Sequence, residues 1–278
     1  MKLEYLYLPC LLYVLLNLTP QAGYCQMIVG HRGASYDAPE NTLAAFREAA
    51  EQGADGIEGD FYLTQDKQIV CIHDKDTERT AGTKLIVADS TLAELRELEY
   101  GSWKAAKFRG EPIPTLADIL KWLPADMLFV IELKVGPEIV PALKQQLEEF
   151  EVNQKRLLII SFNAETVTAA KQQLPNVRAH WLTSYKRNKQ SGAVSPTRRE
   201  IAETLKQSRA DGLGTQGDRS VVTQEFIAEL RAGGMREFHV WTVDQPEDAA
   251  YFQELGAVGI TTNRPRTIRE SLRRELKP

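Results

Sequence analysis

The chain has 278 residues, 43% of them hydrophobic and 26% charged, and a net charge of −4. This composition suits a globular protein with one sizeable core and excludes a disordered or fibrous chain. There is no general basic field, so nucleic acid is not expected as a partner, whereas a small, locally bound anion fits.

Residues 1–25 stand apart from the rest: Lys2 lies near the start, Leu6 to Leu16 is an almost unbroken apolar run, and the small residues Ala22 and Gly23 follow. This pattern reads as a signal peptide removed after Cys25, which predicts a secreted or periplasmic protein. A bilayer-spanning helix needs about 20 apolar residues, so no stable membrane insertion is expected after cleavage; an uncleaved anchor is the alternative. Cys10 and Cys25 leave with the signal, and Cys71 sits alone in an apolar stretch. No disulfide framework is available, and Cys71 is expected to be a buried strand residue.

From 26 to 278 short apolar runs alternate with longer amphipathic ones. The strand-like runs are Met27 to Gly30, Gly56 to Tyr62, Leu128 to Leu133, Leu157 to Ser161, Arg178 to Thr183, Gly212 to Gly214, Phe238 to Val243 and Gly259 to Thr262. Helical patterns fall between them, including Asn41 to Gln52, Glu138 to Phe150, Ala164 to Gln173, Arg198 to Ser208, Gln224 to Ala232 and Glu247 to Leu255. Alternation of this kind over roughly 250 residues predicts an α/β fold, a (β/α)8 TIM barrel forming one domain. An open doubly wound sheet is the rival, but no glycine-rich dinucleotide loop follows an early strand. The interval 74–113 is too long for a plain βα loop and is expected to be a small insertion after the second barrel strand.

Glu58 and Asp60 are two apart on one predicted strand, so a period of two points both carboxylates to the same face. Glu132 and Lys134 repeat the spacing on the next barrel strand, behind the apolar lead Leu128 to Ile131. Three acids on buried strands need a cation, and an oxygen-only ligand set suits Mg²⁺ or Ca²⁺. A buried ion-pair network with Arg32 and Lys134 is the alternative. His31, with Arg32, ends the first strand, and His73, with Asp74, ends the run Gln68 to Ile72; both are expected at the barrel rim where loops assemble active sites. Trp241 is placed at the barrel mouth as a substrate wall, and His180 and His239 are expected to be structural. The loop Ser184 to Thr197, with Lys186, Arg187 and Lys189, is expected on the same rim.

The order of His31-Arg32-Gly33, Pro39-Glu40-Asn41-Thr42, Ile57-Glu58-Gly59-Asp60, His73-Asp74, Glu132-Leu133-Lys134, Trp241-Thr242-Val243 and Thr262-Asn263-Arg264-Pro265 resembles the glycerophosphodiester phosphodiesterase family over nearly the whole mature chain. The resemblance implies hydrolysis of small-molecule glycerophosphodiesters to sn-glycerol 3-phosphate and an alcohol. It implies one divalent cation on Glu58, Asp60 and Glu132, His31 and His73 as acid and base, and Arg32 and Lys134 on the phosphate. Two positions depart from the family pattern: Asp66-Lys67 replaces a usual Asp-Gly, and Asn263 stands where Asp is common. No protein partner is inferred. Phospholipases with related barrels, and a binding protein that keeps the barrel, are the competing functions.

Overall fold

The structure, a computed structural model, describes residues 26–275. The segment read as a signal, with Cys10 and Cys25, lies outside the described residues. The apolar runs form strands with slightly shifted ends: β1 (Met27–Gly30), β2 (Gly56–Leu63), β3 (Ile69–Cys71), β4 (Leu128–Leu133), β5 (Leu157–Ser161), β6 (Arg178–Thr183), β7 (Lys186–Arg187), β8 (Val194–Ser195), β9 (Gly212–Gln216), β10 (Glu237–Trp241) and β11 (Gly259–Thr262). Eight of them run parallel in the order β1-β11-β10-β9-β6-β5-β4-β2, and pairing of β1 with β2 closes the ring. The fold is a TIM barrel.

The helices are α1 (Leu43–Glu51), α2 (Glu78–Ala81), α3 (Leu92–Leu95), α4 (Leu116–Trp122), α5 (Val140–Glu149), α6 (Ala164–Gln173), α7 (Arg198–Ser208), α8 (Gln224–Ala232), α9 (Pro246–Glu254) and α10 (Pro265–Glu275). Several begin on a side-chain cap that satisfies a free N–H; Thr42 accepts from Ala45 N–H at the start of α1, and Thr115 with Asp118 forms a reciprocal box at α4.

The two-residue period of the strands sorts side chains into two layers. Ile57, Phe61, Phe129, Ile131 and Ile159 face outward and pack with Phe46 of α1 and Ile119 of α4. Burying each such side chain contributes roughly 2 kcal/mol, and Phe61 meets Phe129 edge-on at 5.8 Å. Val29, Leu128, Val130, Leu158, Ile160 and Leu182 face inward and fill the barrel. Glu58 and Asp60 alternate with Ile57 and Phe61, so the sequence that builds the outer layer forces both acids into the barrel.

β3 doubles back antiparallel on β2 and delivers His73 to the rim. The chain then makes short helices whose Val87 and Leu95, with Tyr100 and Ile113, pack on Val70 and Ile72 at β3 in one small apolar cluster. The rim segment after β6 forms a hairpin, β7 with β8, with Lys186 and Arg187 exposed.

His180 and His239 are buried in the barrel, their Nδ1 atoms 2.8 Å apart, with His180 Nε2 at 2.8 Å from Glu237. β9, which lies between the two histidine strands, makes room by lacking side chains: a Cβ on Gly214 would strike Leu182 and His239. Burial and then His180 hold His239 well below the usual imidazole range, so it is neutral inside the barrel.

Gly33 turns the chain from β1 toward α1 at φ +82°, and a Cβ there would collide with the Ala45 backbone. Gly33→Ala is expected to cost about 3 kcal/mol or more, through strain and displacement of α1. Denaturant unfolding reads this directly; an unchanged midpoint would show that the turn has slack.

Candidate active site

The site lies at the C-terminal ends of β1, β2 and β4. The His31 N–H donates to Thr262 O at 2.8 Å, which continues the β1–β11 ladder one residue past the strand. Arg32 takes φ +54°, and its backbone N–H donates to Glu58 Oε2 at 2.9 Å. Its guanidinium donates to Glu40 at 2.8 Å and lies 3.2 Å from Asp60 Oδ2. Asp60 is register partner to Glu132 on β4. Lys134 donates to Glu132 Oε1 at 2.7 Å and lies 3.2 Å from Asp60 Oδ1.

Glu58, Asp60 and Glu132 each present one oxygen, all within 4.8 Å of one another. Burial, then Asp60 and Glu132, raises the Glu58 carboxyl well above the usual carboxylate range. Burial and the Asp60 charge lift Glu132 to about 7, against the pull of Lys134. Asp60 moves the other way: burial opposes its ionisation, but Lys134 and Arg32 outweigh that and bring it down to about 2. The ion-pair network therefore exists, but its cations reach Asp60 and Glu132 and leave Glu58 with a buried Oε1 that has no hydrogen-bond partner. An orphaned, desolvated oxygen on a member of an all-oxygen cluster fits a hard divalent cation.

The two histidines flank this cluster, and both interact electrostatically with Asp60. His31 Nδ1 lies 2.7 Å from Asn263 Oδ1. Burial, with Arg32 second, depresses it to about 4, so its ring is neutral at physiological pH. His73 Nδ1 lies 2.7 Å from Asp74, which accepts from Arg79 Nε at 2.6 Å. Arg79 in turn grips Glu40 through both terminal nitrogens at 2.8 Å. Glu40 thus joins Arg32 to Arg79 and ties the 74–113 segment to the first rim loop.

Trp241 ends β10 at the barrel mouth, edge-on to Phe162 at 5.4 Å, with its Nε1 buried and unpartnered. Beside Arg32 opens a cavity of about 260 Å³, walled by Tyr36 and by Trp103 and Lys104 of the insertion. His31, Arg32, Glu58, Asp60, His73, Glu132 and Lys134 are brought together here, whereas Trp241 packs on the inner core of the barrel. Sequence reasoning missed Asn41, which donates to Asp60 Oδ2 at 2.8 Å and accepts the Asp60 N–H at 3.1 Å. Its signal was conformational: Asn is one of the few side chains that tolerate the φ of +58° required there. Cys71 is a buried thiol raised well above its usual range by burial, as a strand residue beside two acids should be.

A TIM barrel with a carboxylate trio and two histidines at its C-terminal mouth has the arrangement of a hydrolase acting on a small anionic substrate. The pattern that defines the Glycerophosphoryl diester phosphodiesterase family matches residues 31–267. A glycerophosphodiester phosphodiesterase of Caldanaerobacter subterraneus subsp. tengcongensis is 33% identical over 247 residues, covering 87% of this chain and 96% of the relative. One from Bacillus subtilis is 28% identical, covering 86% of this chain and 84% of its own. The structure of an Oleispira antarctica phosphodiesterase in complex with the product sn-glycerol-3-phosphate superposes with a TM-score of 0.78 at 26% identity, covering 89% of this chain and 96% of that one. The chain belongs to the glycerophosphoryl diester phosphodiesterase family and is an enzyme of that kind, a phosphoric diester hydrolase.

Proposed function

We propose that this enzyme hydrolyses glycerophosphodiesters to sn-glycerol 3-phosphate and an alcohol, with a divalent cation, Mg²⁺ or Ca²⁺, held by Glu58, Asp60 and Glu132. The observation that carries the reading is the orphaned Glu58 oxygen inside a buried carboxylate trio that both His31 and His73 flank. The Oleispira relative, with glycerol 3-phosphate bound, supports a substrate of the same half.

When bound, the cation supplies Lewis acidity at the phosphoryl group and orients the glycerol moiety. Arg32 and Lys134 add positive charge where the transition state gathers negative charge on phosphoryl oxygens. His31, neutral and half-buried, takes a proton from the attacking hydroxyl. His73 gives one to the leaving alkoxide, and Asp74 compensates the charge its ring carries. With the glycerol 2-hydroxyl as nucleophile, the P–O bond to the alcohol breaks and a cyclic phosphate forms; water opens it with the proton roles reversed. Trp241 and Phe162 wall the glycerol carbons, and the cavity at Tyr36 and Trp103 receives the departing alcohol.

The test is release of glycerol 3-phosphate from glycerophosphocholine, glycerophosphoethanolamine and glycerophosphoinositol by the purified chain, metal-stripped and then resupplied with each cation. Cation-dependent release supports the reading, and no release from any diester by a folded, cation-binding protein would sink it. Cation affinity itself is expected to depend on pH. Glu132 ionises near 7 in the cation-free site, so affinity falls about tenfold per pH unit for each proton displaced below that value. Calorimetric titration with Mg²⁺ or Ca²⁺ checks this, and an affinity flat between about pH 8 and about pH 6 would contradict it.

The export reading rests on residues 1–25. We propose cleavage after Cys25 and a location outside the cytoplasm; N-terminal sequencing of the protein recovered from medium, envelope and cytosol tests it. Among the described residues no helix is long and apolar enough to cross a membrane.

A further inference from the structure

We propose that Asp244 and Asn263 are positioning residues that hold His31 in the tautomer with its proton on Nδ1, leaving Nε2 as the nitrogen that exchanges protons with substrate. The inference rests on His31 being one of the acid–base groups, and it specifies which atom of that ring acts and what fixes it.

Asp244, in the turn after β10, accepts from Thr262 Oγ1 at 2.9 Å and from the Asn263 backbone N–H at 2.8 Å through Oδ1. Its Oδ2 accepts from Asn263 Nδ2 at 2.6 Å. An ionised carboxylate only accepts, so the amide of Asn263 must turn its NH₂ end toward Asp244. That choice settles an amide orientation which distance alone would leave open. The amide oxygen then faces the other way, where it meets Ser35 Oγ at 2.6 Å and His31 Nδ1 at 2.7 Å. A carbonyl oxygen also only accepts. His31 Nδ1 must therefore carry the hydrogen, and Nε2 keeps its lone pair.

Nothing else near the ring opposes this assignment. Thr242 Oγ1, at 3.5 Å from Nδ1, is a hydroxyl that can accept as well as donate. Nε2 bonds to no described residue. Each part of the relay sits on backbone fixed by the barrel: Asn263 follows β11, Asp244 follows β10, and His31 follows β1, which pairs with β11. The two histidines are consequently held by different chemistry, His73 by a carboxylate and His31 by a neutral oxygen. The amide acceptor selects the tautomer, and although its hydrogen bond favours the charged ring, burial and then Arg32 outweigh that pull and keep the ring neutral, which suits a group that must begin the reaction unprotonated.

The experiment combines a spectroscopic and a kinetic reading on the full folded chain. Long-range ¹H–¹⁵N correlations distinguish the two imidazole tautomers, and His31→Gln assigns the His31 signals. The wild type is expected to show the Nδ1–H form at His31. Asn263→Leu removes the acceptor, so the Nε2–H form should become populated and kcat for glycerophosphocholine should fall by about 100-fold, with KM within about twofold. The exchange Asp244→Asn with Asn263→Asp keeps an acceptor toward His31 and a donor toward its neighbour; it should restore the Nδ1–H form and most of kcat. Should Asn263→Leu fail to fold, Asp244→Ala frees the amide to rotate and is expected to mix the tautomers. Nε2–H in the wild type, or Nδ1–H and full kcat retained in a folded Asn263→Leu, overturns the proposal. The tautomer is read without substrate, so absence of turnover by the wild type would refute the assigned reaction and leave this inference standing or falling on the spectrum.

Discussion

Glu58→Gln is expected to raise the stability of the cation-free protein at alkaline pH while lowering kcat/KM by about 1,000-fold or more. The two effects have one cause. Glu58 is the acid that burial and its two neighbours push well above the usual range, so holding it ionised works against folding. The sign follows from linkage. A carboxyl with a raised folded value stabilises the fold when protonated, and that stability is lost as pH rises through the folded value. Glutamine removes the loss, so variant and wild type should converge near pH 5 and diverge above it. Asp60→Asn should do the reverse. Asp60 is the acid on which Arg32, Lys134 and Asn41 all converge, and its removal leaves two half-buried cations under-paired, at a cost of about 3 kcal/mol or more. Thermal unfolding in chelator, run beside calorimetric Mg²⁺ and Ca²⁺ titrations, separates the cases. Equal destabilisation by both variants would mean that the trio is a plain ion-pair network.

His31→Ala and His73→Ala are each expected to lower kcat by about 10² to 10⁴-fold, and the double variant by far less than the product, because the two groups serve one proton balance. Their response to the leaving group should differ. With a nitrophenyl ester of glycerol phosphate, whose leaving oxygen needs no protonation, His73→Ala should regain most of its lost rate in the first turnover and His31→Ala should not. Rescue of His31→Ala instead would exchange the two roles. Equal rescue of both would remove the distinction, and with it the argument that Asp74 and Asn263 tune their histidines differently.

The barrel was legible because its strands are written in a code of period two that only one arrangement satisfies. Ile57, Phe61, Phe129 and Ile131 need an apolar outer layer, and Glu58, Asp60 and Glu132 must then lie inside. The same logic made the carboxylate trio visible, since acids between buried β-branched and aromatic residues need a counter-charge, whether a cation or an ion pair. His31 and His73 could be placed because strand ends are fixed by where the apolar run stops.

What sequence by itself determined was therefore the class of fold, the cluster of acids and the two candidate histidines. Tertiary structure alone decided how those groups are held. Asn41 with Asp60, Glu40 between Arg32 and Arg79, and Asp244 through Asn263 to His31 join residues up to 232 positions apart. Such pairings have no local period, because a hydrogen bond between loops depends on where the closed barrel sets its strand ends. It was likewise the closure of the ring that brought β11 beside β1, and so set Asn263 against His31.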